Sequence, residues 1–181
     1  MSRVFISLGS NIDPEINLKK AVQVLSHLVK IKCVSTVYKT KAEQRPKQND
    51  YYNCVIEIST DIKPLELKFR VLRGIETLLG RVRGKDKFAP RTIDMDIILY
   101  DEKKIKSSAL TLPDPQILSR PYLAIPLLEL DASLKIPGTG QTIEEIVCKM
   151  PAAVLKQSKM KPLKDYTRIL RRKDDLILKC R

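Results

Sequence analysis

Apolar and polar positions along the chain predict its first elements. In "YYNCVIEIS" (residues 51–59), Tyr51 and Asn53 face one way while Tyr52 and Cys54 face the other, which is the period of two of a β-strand. Elsewhere, apolar residues recur at helical spacing behind a proline, a residue favoured at the first position of a helix. The pattern predicts strands over residues 3–8, 31–39, 51–59 and 93–100, and helices over residues 14–30 and 64–79.

The order of these elements, β-α-β-β-α-β, indicates an α+β protein with a ferredoxin-like core, an antiparallel sheet with helices packed on one face. The spacing predicts that the second helix buries Leu65, Phe69, Leu72, Ile75 and Leu79. A capping box from Thr142 to Glu145 begins the additional C-terminal helices. Because folds of this kind host many functions, particular residues must indicate the chemistry.

Composition limits the classes of protein to consider. The chain has 181 residues, of which 43% are hydrophobic, as expected for one globular domain. No apolar run approaches the roughly 20 residues that cross a bilayer, so we expect a cytoplasmic protein. The cysteines lack CxxC spacing, which argues against a zinc site.

Charge is distributed unevenly. The net charge is +13, which favours an anionic partner. Residues 156–181 carry ten Lys or Arg and three Asp, a net charge of +7. We therefore expect a catalytic domain over residues 1–155 and a basic C-terminal extension over residues 156–181, which is a candidate for contact with polyanions.

Two acids interrupt the apolar strand "IDMDIILY" (residues 93–100). Residues i and i+2 of a strand project to the same face, so Asp94 and Asp96 point together with Cα atoms about 6.5–7 Å apart. Neighbouring carboxylates repel each other and require a cation. Mg²⁺ suits such a pair when phosphates complete its ligands, although a strand with one solvated face is the simpler alternative.

Basic residues precede the acid pair. They are Arg81, Arg83, Lys85, Lys87 and Arg91, the cations that a polyphosphate needs. The loop lacks the spacing and the Ser/Thr of a Walker motif. Basic residues beside paired acids therefore indicate magnesium-nucleotide chemistry without a standard nucleotide motif.

Five segments together carry a family resemblance. They are "LGSN" (8–11), "YYNCV" (51–55), "IETLLGRVR" (75–83), "APRTIDMDIILY" (89–100) and "LTLPDP…SRPYLAIPL" (110–127). In this order they resemble the 6-hydroxymethyl-7,8-dihydropterin pyrophosphokinase family. The resemblance implies a step of folate biosynthesis, in which the pterin hydroxymethyl group attacks the β-phosphorus of ATP to give the pterin diphosphate and AMP.

The resemblance also implies roles for single residues. Asp94 and Asp96 would hold two Mg²⁺ ions and act in catalysis with Arg81 and Arg91. The implied ATP-binding residues are Glu76, Arg81, Arg83, Arg91, Thr111 and Arg120. The implied pterin-binding residues are Thr40, Tyr51, Asn53, Phe88 and Tyr122, with Tyr51 and Tyr122 on opposite faces of the ring, as aromatic stacking would favour.

Four positions depart from the family pattern. Lys41 replaces the usual Thr-Pro, Gly84 a frequent basic residue, Ala89 the usual glycine, and Asp114 the histidine of Pro-His-Pro. These departures leave open the same chemistry on another pterin alcohol. A ferredoxin-like nucleic-acid binder also fits the charge, but the absence of Trp and an aromatic content of 5% disfavour a base-stacking platform.

Overall fold

The computed structural model describes residues 1–42, 45, 47–84, 86, 88–173 and 176–177. The strands are β1 (Ser2–Ser10), β2 (Lys30–Val34), β3 (Tyr38–Thr40), β4 (Tyr51–Thr60), β5 (Asp94–Tyr100), β6 (Ile105–Lys106), β7 (Thr111–Leu112), β8 (Lys161–Pro162), β9 (Arg172–Lys173) and β10 (Leu176–Ile177). The α-helices are α1 (Pro14–Leu28), α2 (Pro64–Glu66), α3 (Arg73–Leu78), α4 (Pro121–Leu130), α5 (Ile143–Lys149), α6 (Ala152–Gln157) and α7 (Lys164–Arg171). A π-helical segment (Leu67–Leu72) joins α2 to α3, and a 3₁₀ helix (Pro115–Leu118) precedes α4.

The main sheet is antiparallel and has the order β5-β1-β4-β3-β8, with β2 paired to the far part of β4. The central β1 and β4 are each flanked on both sides, and β2 and β3 share one edge of β4. This arrangement confirms the α+β class and the ferredoxin-like core predicted from the order of elements.

Helices cover both faces of the sheet, which corrects the expectation of helices on one face. One apolar cluster packs α1, α3 and α7 against inward residues of the strands, including Ile6 and Ile56. A second cluster packs α4 and α5 against residues that point the other way, including Phe5 and Val55. Apolar residues on both faces of β1 and β4 therefore require a layer of helices on each side.

The second helix buries different residues from those that α-helical spacing predicts. Leu65 and Phe69 are exposed, whereas Leu67 and Leu72 are fully buried. The five-residue separation of Leu67 and Leu72 matches a π-helical turn, whose hydrogen bonds run from residue i+5 to residue i. The expected stripe is therefore wrong in its first half, and the prediction is correct for Leu72 and Ile75.

The C-terminal segment joins the sheet. β8 pairs with β3, and Leu163 N donates to Val37 O at 2.8 Å. Thr167 Oγ1 accepts from Val37 N at 2.9 Å, and Leu170 is buried in the core that contains α1. Division at residues 155 and 156 stays a prediction, although α6 spans that point and residues 161–171 pack on the body.

Within the residues that the structure describes, no helix is both long and apolar enough to cross a membrane.

Candidate active site

The two strand acids lie on the face of β5 that is turned away from the α1 side. Met95 and Ile97 alternate with them and are buried in the apolar cluster beneath. Asp94 pairs across the sheet with Gly9, and Gly9 pairs with Asn53. One row across three strands therefore brings an expected metal ligand beside an expected pterin-binding residue.

Asp94 is held by two arginines. Arg81 Nη1 donates to Asp94 Oδ1, and Arg91 Nη1 donates to Asp94 Oδ2. Arg81 Nη1 also lies 2.7 Å from Ile93 O. Burial by itself would lower the pKa of Arg91, but the neighbouring Asp94 carboxylate raises it. The Arg91 guanidinium therefore stays charged.

Glu76 anchors the arginines from beneath. Its side chain is buried, and its Oε1 accepts from Met95 N at 2.9 Å and from Arg81 Nη1 at 3.1 Å. Its Oε2 accepts from Arg83, whose side chain is half-exposed. These bonds support a positioning role for Glu76, because they occupy both carboxylate oxygens with Arg81, Arg83 and the start of β5. Direct contact between Glu76 and ATP stays a prediction.

Ser10 and Asn11, in the "LGSN" segment, receive a role that the sequence did not predict. Asn11 is buried, and its Oδ1 accepts from Arg91 N at 2.8 Å. Ser10 Oγ donates to Thr92 O at 2.5 Å. The end of β1 therefore fixes the backbone of Arg91 and Thr92, which lead into the acid pair. The run Gly9-Ser10-Asn11 at the end of a predicted strand is the sequence signal for such a role, but it names no partner.

Asp96 is the more exposed acid of the pair. Lys68 Nζ lies 3.9 Å from Asp96 Oδ1, with the Lys68 side chain 21% exposed. Burial and the neighbouring Asp94 raise the pKa of Asp96, and Lys68 opposes this rise. The sequence does not single out Lys68, because a lysine on a helix is most often a solvated residue.

The expected pterin-binding residues lie next to this network. Asn53 Nδ2 donates to Thr40 Oγ1 at 2.8 Å, and Thr40 pairs with Tyr51 across β3 and β4. Burial raises the pKa of the Tyr51 hydroxyl, while the neighbouring Arg91 opposes this rise. Thr40, Tyr51 and Asn53 thus form one polar surface with an aromatic edge.

Phe88 lies where two loops meet. Gln48 Nε2 donates to Phe88 O at 2.9 Å, and the Arg45 guanidinium lies 5.9 Å from the centre of the Phe88 ring. Arg45 also approaches Asp86 at 3.4 Å. The expected phosphate-binding residues Lys85 and Lys87 lie outside the described residues.

The remaining expected residues belong to a separate segment. Thr111 lies in β7, Arg120 is the N-cap of α4, and Tyr122 lies in the first turn of α4 beside the apolar cluster of that face. Asp114 N donates to Ile98 O at 2.9 Å, which brings this segment alongside β5. Contact of Thr111 or Arg120 with ATP, and of Tyr122 with the pterin, stays a prediction.

The two carboxylates of the acid pair could hold a metal ion whose remaining ligands are phosphates and waters. Among the described residues, no three His, Cys, Asp or Glu side chains form a metal-binding group. Mg²⁺ needs few carboxylates when phosphates and waters supply the other ligands, so Asp94 and Asp96 match its donor chemistry.

Known proteins resemble this chain along most of its length. The model of the family described as 7,8-dihydro-6-hydroxymethylpterin-pyrophosphokinase (HPPK) matches residues 5–132. The 2-amino-4-hydroxy-6-hydroxymethyldihydropteridine pyrophosphokinase of Aquifex aeolicus is 33% identical over 80% of this chain and 90% of that protein. Its namesake in Haemophilus influenzae is 36% identical over 81% of this chain and 92% of that protein.

Longer proteins match over one part only. The folic acid synthesis protein fol1 of Pneumocystis carinii is 38% identical over 77% of this chain, which spans 19% of that protein. The crystal structure of Plasmodium falciparum HPPK-DHPS with pteroate matches with a TM-score of 0.68 and 14% identity, over 86% of this chain and 43% of that chain. This structural likeness supports the fold, and the sequence matches establish that the chain belongs to the 7,8-dihydro-6-hydroxymethylpterin-pyrophosphokinase family.

Proposed function

We propose that this chain transfers the diphosphate of ATP to the hydroxymethyl group of 6-hydroxymethyl-7,8-dihydropterin, as a step of folate biosynthesis. The oxygen of the pterin hydroxyl forms a bond to the β-phosphorus of ATP. The bond between that phosphorus and the bridging oxygen on the α-phosphate breaks, so AMP leaves and the hydroxyl proton is released. The family membership supports this reaction.

The row Asp94–Gly9–Asn53 is the observation that carries the proposal. It joins a cluster of arginines and acids to a polar pocket within the width of three strands. A phosphate acceptor and a phosphate donor must be held with the reacting atoms close together and in line. Adjacent sites on one sheet face meet this need, because the strands fix both sets of side chains.

The arginines serve the transferring phosphates. Arg81 and Arg91 bond to Asp94, and Arg83 bonds to Glu76. Guanidinium groups also match the geometry of phosphate oxygens. Charge on the β-phosphate oxygens and on the leaving AMP is stabilised by cations held in place before the reaction. Glu76 limits the cost of reorganisation, since it fixes Arg81 from the buried side.

The pocket residues orient the acceptor. Thr40 and Asn53 present a hydroxyl and an amide, which donate to and accept from the edge of a pterin. Tyr51 and Tyr122 supply the aromatic faces for the ring, and Phe88 lies on the loop that borders the pocket.

Magnesium is the proposed cofactor, with ATP as co-substrate and Asp94 and Asp96 as the ligands of two Mg²⁺ ions. When bound to Asp94 and Asp96, the ions would neutralise negative charge on the transferring phosphates. Cytoplasmic location and contact of the basic extension with polyanions stay predictions from the sequence.

A direct assay tests the proposal. Purified protein is incubated with Mg-ATP and 6-hydroxymethyl-7,8-dihydropterin, and AMP and the pterin diphosphate are separated by chromatography. Formation of AMP in proportion to the pterin diphosphate is the expected result. Replacing the substrate with other pterin alcohols tests the second reading, which the departure at Asp114 leaves open. ADP as the nucleotide product, or no AMP with any pterin alcohol, would contradict the proposal.

A further inference from the structure

Lys68 reaches the acid pair around the edge of the sheet. β5 is an edge strand, and the segment that carries Lys68 packs on the face opposite to Asp94 and Asp96. The Lys68 ammonium nevertheless lies 3.9 Å from Asp96 Oδ1, and its side chain is only 21% exposed. A lysine that leaves solvent to approach an acid of the candidate active site requires an explanation beyond surface solvation.

The π-helical segment delivers this lysine to the site. Arg73 N donates to Lys68 O, the i+5 to i bond of the π turn. Leu67 and Leu72 lock the turn into the core, since both are fully buried. Each residue of an α-helix advances by about 100° around the helix axis. One additional residue in a turn therefore rotates the side chains that precede it, Lys68 among them, relative to those of α3. Insertions of this kind are frequent at functional sites.

Two acids share the charge of Lys68. Asp114 lies alongside β5 through its bond from Asp114 N to Ile98 O at 2.9 Å, and its carboxylate accepts from Gln116 N at 2.8 Å. Burial raises the pKa of Asp114, and Lys68 is close enough to lower it. Lys68 is therefore near Asp114 as well as Asp96, and position 114 is where the family resemblance leads us to expect a histidine.

We infer that Lys68 is a further ATP-binding residue of this chain, holding the triphosphate on the Asp96 side of the site. Arg81 and Arg91 crowd the Asp94 side, so an ammonium group beside Asp96 supplies the cation that the opposite side needs. The inference rests on the proposed function, because it takes the nucleotide as the ligand. It also explains how an acid at position 114 is compatible with a bound polyphosphate.

Nucleotide binding without turnover tests this inference. α,β-Methylene-ATP cannot release AMP, so its affinity is measured by titration calorimetry, with and without Mg²⁺. Lys68→Met removes the charge and keeps the apolar stem, and we expect the dissociation constant to rise about tenfold. Lys68→Arg should retain most of the affinity. Asp114→Asn, which keeps the acceptor for Gln116 N, should tighten binding roughly twofold to threefold, because it removes a competing anion.

Arg70→Met is the matched control. Arg70 lies on the same π-helical segment, its side chain is 80% exposed, and it pairs with Glu66 away from the acids. Wild-type affinity in this variant, with weak binding in Lys68→Met, would support the inference. Unchanged affinity in Lys68→Met, or an equal loss in Arg70→Met, would overturn it. If wild-type protein makes AMP while Lys68→Met binds the analogue normally, this inference alone is wrong and the proposed function stands.

Discussion

The Asn53 side chain lies directly over Gly9. A β-carbon placed on Gly9 would come within 2.9 Å of Asn53 Oδ1, and Tyr51 Cδ1 would lie 3.9 Å away. Because Gly9 has no side chain, the Asn53 amide has room to lie over it and to bond to Thr40.

Gly9→Ala should damage the pterin pocket more than the fold. The new methyl group would displace the Asn53 amide, which is the end of a side chain and moves more easily than backbone. We expect the KM for the pterin to rise about tenfold and the KM for ATP to stay within twofold. Steady-state kinetics with each substrate varied in turn checks this. Equal increases in both values would show that the strand pairing itself had shifted.

Asp94→Ala and Asp96→Ala should each abolish turnover while the protein remains folded. Loss of a metal ligand removes several kcal/mol of transition-state stabilisation, a factor of roughly 10³ or more in rate. Glu102→Ala, an exposed acid in the turn after β5, is the control. Circular dichroism should give folded spectra for all three variants. Near-normal rates in both aspartate variants would contradict the metal-binding role.

Arg91→Ala and Asn53→Ala should separate the two halves of the site. Arg91 bonds to Asp94, so its loss should lower kcat by roughly 10²-fold or more with a small effect on pterin affinity. Asn53 bonds to Thr40, so its loss should weaken pterin binding about tenfold. Calorimetry with each ligand, alongside kinetics, measures both effects. Equal damage to both ligands in both variants would refute this division.

Leu170→Ala should destabilise the whole protein. Leu170 is 4% exposed in the core cluster, although it belongs to the extension that the sequence divides from the catalytic domain. We expect a loss of about 2–5 kcal/mol in the free energy of unfolding. Ile169→Ala is the matched control, since Ile169 is 49% exposed and should cost less than about 1 kcal/mol. The free energies of unfolding are measured by denaturant titration. Equal values for the two variants would show that the extension does not contribute to the core.

The ion pair of Arg3 and Asp131 should make stability depend on pH. Burial alone would raise the pKa of Asp131, but hydrogen bonds from Arg3 and Ser133 lower it below its ordinary value. A lowered carboxyl pKa adds stability above the unfolded value of about 3.9, and that stability is lost as pH falls through the folded value. Asp131→Asn should cost about 1 kcal/mol at pH 7, and the difference from wild type should shrink as the pH falls below the unfolded pKa. A difference that is constant from pH 7 to pH 2 would show that the charge contributes nothing.

The sequence predicts the pattern of β4 better than that of the second helical segment. Strict alternation in β4 identifies its two faces, because a period of two allows one reading. The segment from Pro64 to Leu78 offers apolar residues at several spacings, and a π turn selects Leu67 over Leu65. Helical periodicity assumes a constant turn, so it cannot show where that turn widens.

For the candidate site, the sequence indicates the residue types but not their order of contact. Asp94, Arg81 and Arg91 meet in the structure, whereas the sequence assigns both arginines to phosphates and does not predict their bonds to Asp94. Lys68 and Asn11 were missed because their partners lie 28 and 80 residues away, and such contacts arise only from the folded topology.

The pairing of β8 with β3 covers the outer edge of β3 in the main sheet. An unpaired border strand offers its N–H and C=O groups to a strand from another molecule, which leads to aggregation. Pro162 lies opposite Tyr38 and has no N–H group, so β8 is a poor template for further strands. The C-terminal segment thus covers backbone groups of β3, and we expect molecules in which it detaches to associate more readily, strand to strand, through β3.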